Sequence, residues 1–168
     1  TSEDDVAAGY KMVETLAAKG CKNFAGIYMA PGNPAADDRQ AGFEKAFAEG
    51  LGTKVAEYTL PFGNGTDPNL YTQATMNFFD QYGDGIDAIL SSVGSNGGSE
   101  AILAAIESAG RNCVAGEFDM PSSAVQTLEK GTLGCTAEGM MCDMVYVFAV
   151  MANYLMGTPL SDGAVCLD

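Results

Sequence analysis

Apolar and polar positions along this chain follow two rhythms that take turns. Val6, Tyr10, Val13, Leu16 and Ala17 recur at helical spacing. They predict a helix capped by Ser2 with Asp5, running to Lys19 and closed by Gly20. A short apolar run over 24–29 follows and stops at Pro31-Gly32-Asn33-Pro34, which reads as a strand ended by a turn. Ala41, Phe43 and Phe47 then supply the apolar stripe of a second helix, with Arg39 near its start and Gly50 at its end. The same alternation predicts strands over 54–60, 87–93, 112–118 and 132–136, and helices over about 69–82, 99–109 and 121–130. A long apolar stretch over 140–156 predicts a last helix, and 164–167 a last short strand.

Strands alternating with helices imply βαβ units, right-handed crossovers and a parallel sheet. The expected fold class is α/β, an open doubly wound parallel sheet of the flavodoxin or Rossmann kind, with residues 1–168 as a single lobe. Two features are odd for a complete domain of this type. The first element is a helix, and 140–156 is apolar on nearly every side, which calls for burial all round. Both point to partner structure outside this chain.

Charge and composition then remove whole classes of function. Eight basic against 22 acidic residues give a formal charge of −14, which repels nucleic-acid phosphates and anionic membranes. The basic residues form no stripe, so no nucleic-acid partner is expected. Histidine is absent, which takes away the commonest general base, the usual triads and most zinc sites. No catalytic residue, metal or cofactor is expected. The five cysteines, Cys21, Cys113, Cys135, Cys142 and Cys166, show no CxxC spacing. Cys113 and Cys135 lie in apolar runs and are expected as buried thiols, with one disulfide among the five as the alternative. Thr1-Ser2-Glu3-Asp4-Asp5 reads as an acidic helix start, not a basic leader. The 140–156 stretch is short for a membrane span and carries Asp143, so direct membrane insertion is not expected.

In a sheet of this kind the loops after the strands share one rim, where ligands lie. Those loops bring together Asn33, Asp37, Asp38 and Arg39; Phe62, Asn64 and Asp67; Ser95 and Asn96; Asp119; and Glu138. Amides, carboxylates, a guanidinium and an aromatic ring suit a polyhydroxylated ligand. Each has a local alternative. Arg39, read in a first helical turn, can pair with Asp37 or Asp38 at the surface, and Asp119 can cap the helix that follows it. Asn64 and Asp67 are common turn residues, and Phe62 can simply pack. The Gly94–Gly98 turn could cradle a phosphate, but it matches neither the Walker pattern nor GxGxxG.

Four segments in order carry a resemblance: SEDDVAAGYKMVETLAAKG, APGNPAADDRQAGFEKAF, DAILSSVGSNGGSEAILAAIESAG and GEFDMPSSAVQTLEKGTLGCTAEG. Together they resemble the type I periplasmic sugar-binding proteins of the ribose-binding kind and the related effector domains of lac-type repressors. The resemblance covers this whole chain but only the carboxyl-terminal lobe of the family's two. It implies ligand contacts at Arg39, at Ser95 or Asn96, and at Asp119. The family's late glutamine falls near Glu138, where this chain has none, and Phe62 is only near the family's aromatic. It further implies a non-catalytic solute-binding component of an ABC-type importer, extracellular or periplasmic, with or without a lipid anchor in the full-length protein. The implied partners are a sugar, a missing amino-terminal lobe and a transporter permease. The 140–156 helix would pack on that lobe or in a homodimer. The rivals are the effector lobe of a lac-type regulator and, from another class, a flavodoxin-like or Rossmann-type enzyme.

Overall fold

Five strands, all parallel, form one sheet in the order β2-β1-β3-β4-β5. The computed structural model describes residues 4–61, 63, 67–94, 97–119, 122–137, 148 and 151–157. The strands are β1 (Asn23–Met29), β2 (Thr53–Leu60), β3 (Ala88–Ser91), β4 (Val114–Phe118) and β5 (Leu133–Ala137). The helices are α1 (Asp5–Ala18), α2 (Pro34–Ala48), α3 (Pro68–Tyr82), α4 (Gly98–Ala109) and α5 (Ala124–Lys130). This is the α/β architecture expected, with element ends moved by one to three residues. The chain divides into one unit over Asp4–Ala137 and another made of Thr1–Glu3 with Glu138–Asp168.

Period-two alternation in the strands builds two cores, one on each face of the sheet. Ala25 and Ile27 of β1, Ile89 of β3 and Ala115 of β4 face one way, against Tyr71, Phe78 and Phe79 of α3 and Ile102, Leu103 and Ile106 of α4. Their neighbours Phe24, Tyr28, Leu90 and Phe118 face the other way, against Met12, Val13 and Leu16 of α1 and Phe43 and Ala46 of α2. Strands covered on both faces read as near-continuous apolar runs, and that is how β1, β3 and β4 read.

Local chemistry sets where the helices begin. Asp4, not Ser2 with Asp5, caps α1, accepting from Ala7 N at 2.9 Å. Asp5 is thereby released for a distant partner. Asn33 caps α2 and Pro34 opens it, while Asp67 caps α3 ahead of Pro68. The predicted start of the fifth helix at 121 is too early: α5 begins at Ala124 after Ser123.

One contact between helices decides the geometry of the rim. α1 and α2 meet backbone to backbone at Gly9 and Gly42. A β-carbon on Gly9 would lie 2.2 Å from Arg39 O, and one on Gly42 2.2 Å from Val6 O. Only glycine permits that approach. One helical turn before each glycine stand Asp5 and Arg39, so the close contact brings these two side chains together.

In the other unit, Phe148 and residues 151–155 are helical. Phe148, Met151, Tyr154, Leu155 and Met156 are all more than half exposed. The remainder of the predicted 140–156 helix, Cys142, Cys166 and the predicted strand over 164–167 lie outside the described residues. Among the described residues no helix is long and apolar enough to cross a membrane.

Candidate functional site

The strand order reverses between β1 and β3: the chain steps outward from β1 to β2, then returns to β3 on the other side. The crevice beyond the carboxyl ends of those two strands is where open α/β sheets bind ligands. The loops after β1 and β3 diverge there, and Arg39 reaches into the gap. It sits in the second turn of α2, later than the first-turn position the sequence suggests, and it is 8 % exposed.

Neither Asp37 nor Asp38 pairs with it. Arg39 Nε donates to Asp5 Oδ1 at 2.8 Å, and Nη1 donates to Ser92 O at 3.3 Å. Asp119 Oδ1 lies 3.6 Å from Nη1, within ion-pair range. The guanidinium carbon stands 4.3 Å from the centre of the Phe118 ring, a cation–π contact. One cation is thus held by two carboxylates, a carbonyl and an aromatic face drawn from α1, β4 and the ends of β3 and β4. Among the described residues Nη2 has no partner.

Asp119 is not the cap of the next helix: the N-cap position of α5 is Ser123, and among the described residues no side chain caps it. It has a left-handed backbone, φ 61°, the one such non-glycine among the described residues. Its amide donates to Ala137 O at 3.2 Å. Aspartate tolerates this conformation better than most residues. The kink turns its carboxylate back toward Arg39 at the moment β4 ends.

The loop after β3 is fastened from several sides. Ser92 Oγ accepts from Met29 N at 3.2 Å, and Ser92 N donates to Ile27 O at 3.2 Å, which joins the ends of β1 and β3. Tyr71 and Ser91 both donate to Val93 O, at 3.1 and 2.7 Å. At Gly94 a β-carbon would fall 1.9 Å from Ser99 Oγ and 2.5 Å from Phe118 O, so only glycine lets this turn lie against the end of β4.

Of the residues read from the sequence as ligand contacts, Arg39 and Asp119 come together here. Phe62, Ser95, Asn96 and Glu138 lie outside the described residues. Asn33, Asp37 and Asp67 serve local structure: two are helix caps, and Asp37 accepts from Gly32 N at 3.0 Å. Asp5, Ser92 and Phe118 complete the arginine's surroundings and were not read from the sequence. A carboxylate in the first turn of α1 looks like helix-end chemistry, and nothing local shows that its partner is 34 residues away.

A model of the periplasmic binding protein domain matches residues 4–158. The chain belongs to the periplasmic binding protein family. Solved structures place it in the same fold. A periplasmic solute-binding protein of an ABC transporter from Actinobacillus succinogenes 130z, with bound D-allose, superposes with a TM-score of 0.77 at 20 % identity, covering 98 % of this chain and 57 % of that one. A periplasmic sugar-binding protein from Pseudomonas fluorescens gives 0.79 at 17 % identity, covering 96 % and 51 %. A carbohydrate transporter from Acidothermus cellulolyticus 11B, in complex with myo-inositol, gives 0.77 at 17 % identity, covering 98 % and 55 %. The chain therefore spans about half the length of these periplasmic binding proteins. A search among curated protein sequences finds no significant match.

Proposed function

We propose that this chain is the carboxyl-terminal lobe of a solute-binding receptor that takes up a neutral polyhydroxylated molecule, a sugar or cyclitol, for an ATP-driven importer. The observation that carries the reading is the Arg39–Asp119 pair at the switch point of a periplasmic-binding-protein sheet. Asp5 and Asp119 together more than match the arginine's charge. The site therefore offers an anion no net attraction. What it offers is a donor edge at Nη2 beside an acceptor at the Asp119 carboxylate. Hydroxyl groups both donate and accept, so adjacent hydroxyls on a ring suit such a pair. The D-allose and myo-inositol held by the fold's relatives are of that class.

The second wall of the cleft would come from an amino-terminal lobe, since the solved relatives are nearly twice as long. Ligand would hold the two lobes closed, and the importer's membrane permease would read the closed form. Ser95, Asn96, Phe62 and Glu138 are the further contacts proposed on this wall. The exposed apolar side chains from Phe148 to Met156 support a covered position for the 140–156 segment, against the second lobe or, in the isolated chain, a second copy. Sedimentation checks the latter: a monomer at high concentration that binds no hydrophobic dye would rule the homodimer out.

The test of ligand class is a thermal-shift panel on the full product of the gene and on the 168-residue chain. Neutral aldoses and cyclitols are compared with sugar phosphates and sugar acids. A ligand at a hundredfold its Kd adds about 2.7 kcal/mol to the folded state. The full product should be stabilised by at least one neutral ligand and by no sugar phosphate. No shift with any neutral compound, or a larger shift with anions, would overturn the reading.

A further inference from the structure

One ionisable group near the rim takes no part in the Arg39 cluster. Glu117, in β4, is fully buried. It points with Ala115 toward the α3–α4 face, away from its neighbour Phe118 and from Arg39. Ser99 Oγ, in the first turn of α4, donates to Glu117 Oε2 at 3.1 Å. The other oxygen, Oε1, is buried and has no hydrogen-bond partner among the described residues. A buried carboxylate ordinarily needs several hydrogen bonds or a cation. Glu117 has one hydrogen bond, and among the described residues no lysine or arginine pairs with it.

Its surroundings would repel a negative charge. Glu100 on α4 and Asp119 just past the end of β4 are both acidic, Tyr71 approaches from α3, and Cys135 lies on β5. None of these can supply positive charge. Burial, with smaller contributions from Glu100 and Asp119, raises the pKa of Glu117 to about 8 against the pull of the Ser99 hydrogen bond. The tight corner around it is the one that shapes the rim: Ser99 N donates to Gly94 O at 3.0 Å, and a β-carbon on Gly94 would lie 3.2 Å from Glu117 Oε2.

We propose that Glu117 is a proton-controlled positioning residue. As a neutral acid it fastens the first turn of α4 and the Gly94 turn to the end of β4. On losing its proton it loosens that corner. The loops joined there lead to Ser95 and Asn96 on one side and to Asp119 on the other. Resting on the ligand reading above, ligand affinity then falls as the medium turns alkaline. A glutamate inside an otherwise apolar strand, beside the rim rather than on it, acts through the backbone it holds.

The experiment titrates wild type and Glu117→Gln from pH 6 to 9.5 with three readouts. Infrared difference spectroscopy should show the carbonyl band of a protonated carboxylic acid at neutral pH in wild type, lost with an alkaline midpoint and absent from Glu117→Gln. Hydrogen exchange at the Ser99 and Ala101 amides, relative to amides in α1 at each pH, should lose up to about tenfold protection per pH unit from pH 6 to that midpoint and level off above it in wild type. It should stay level in Glu117→Gln. Binding of myo-inositol or D-allose, whichever stabilises the full gene product, should weaken as pH rises past that midpoint in wild type only. Ser99→Ala serves as a second variant, and it should raise the infrared midpoint because it removes the bond that favours ionisation. Absence of the band, or identical exchange profiles in wild type and Glu117→Gln, would overturn the proposal. A pH-dependent corner in a protein that binds neither sugar would support Glu117's role and overturn the ligand reading instead.

Discussion

Replacing Arg39 by alanine would leave two carboxylates, Asp5 and Asp119, facing each other with their shared cation gone. Their side chains are 15 % and 17 % exposed, and that of Arg39 is 10 %. Removing one partner of a buried pair costs about 3–5 kcal/mol, because the remaining charge is stranded. Partial access of water to both aspartates argues for the lower end, and loss of the Phe118 contact adds about 0.5–1 kcal/mol. We expect Arg39→Ala to destabilise the Asp4–Ala137 unit by about 3–4 kcal/mol. Urea unfolding followed by circular dichroism at physiological salt measures this. With a slope of about 2 kcal/mol per molar, the midpoint should fall by about 1.5–2 M. A double-mutant cycle separates the mechanism from simple loss of packing. In an Asp5→Asn background, Arg39→Ala should cost at least about 1 kcal/mol less, since one stranded charge is already gone. A loss below about 1 kcal/mol in wild type, or strict additivity in the cycle, would refute the reasoning. Any loss of ligand binding in Arg39→Ala must therefore be read beside its stability.

Three further outcomes follow from the same structure. Gly42→Ala forces a β-carbon to within 2.2 Å of Val6 O and 2.7 Å of Tyr10 N. Helix propensity returns about 1 kcal/mol, but rigid backbone on both sides makes overpacking larger, so a net loss of about 2 kcal/mol and a lower Tm are expected; an unchanged Tm would mean that the helices do not touch there. For Glu117 the native state keeps a proton that the unfolded chain has already released between about pH 4.5 and 8. Stability from this group therefore declines as pH rises through that window and is level above it, by about 1.4 kcal/mol per unit at most, and Glu117→Gln should flatten the chemical-denaturation profile over the same range. Cys113 is buried as expected, whereas Cys135 is only half-buried; burial pushes both thiols up to about 12, so peptide mapping after a thiol reagent at pH 8 should find both unmodified in the native protein and modified in urea, and rapid native labelling of Cys113 would contradict its burial.

The layered fold was legible because burial on both faces writes itself into β1, β3 and β4 as unbroken apolar runs, with helical spacing between them. Arg39 and Asp119 were legible as rim residues because strand-end loops in this fold converge. Their relation to each other was not. Asp119 followed by Met120-Pro121 has the local signature of a helix cap, and only its left-handed backbone and the distant guanidinium reassign it. Asp5 was likewise read as a cap, because side chains at helix starts usually serve their own amides. Gly9 and Gly42 carried no helical signal of their own; their role exists only where two helices cross. Glu117 did leave a trace: it is the one charged residue within the run Cys113 to Phe118. In a strand covered on both faces, such a residue must be paired or neutral, and this one has no cationic partner among the described residues.

The clamp on Arg39 also bears on the thermodynamics of recognition. A free arginine side chain carries about 2 kcal/mol of rotamer entropy, which a ligand must remove when it orders that side chain. Here the fold itself has immobilised the guanidinium, through Asp5, Ser92 and the Phe118 ring, before any ligand arrives. Ordering this side chain thus belongs to folding and not to any later binding. On the two-lobe reading proposed above, calorimetry on the full gene product should then find the entropic penalty of association in lobe closure, with little contribution from ordering Arg39.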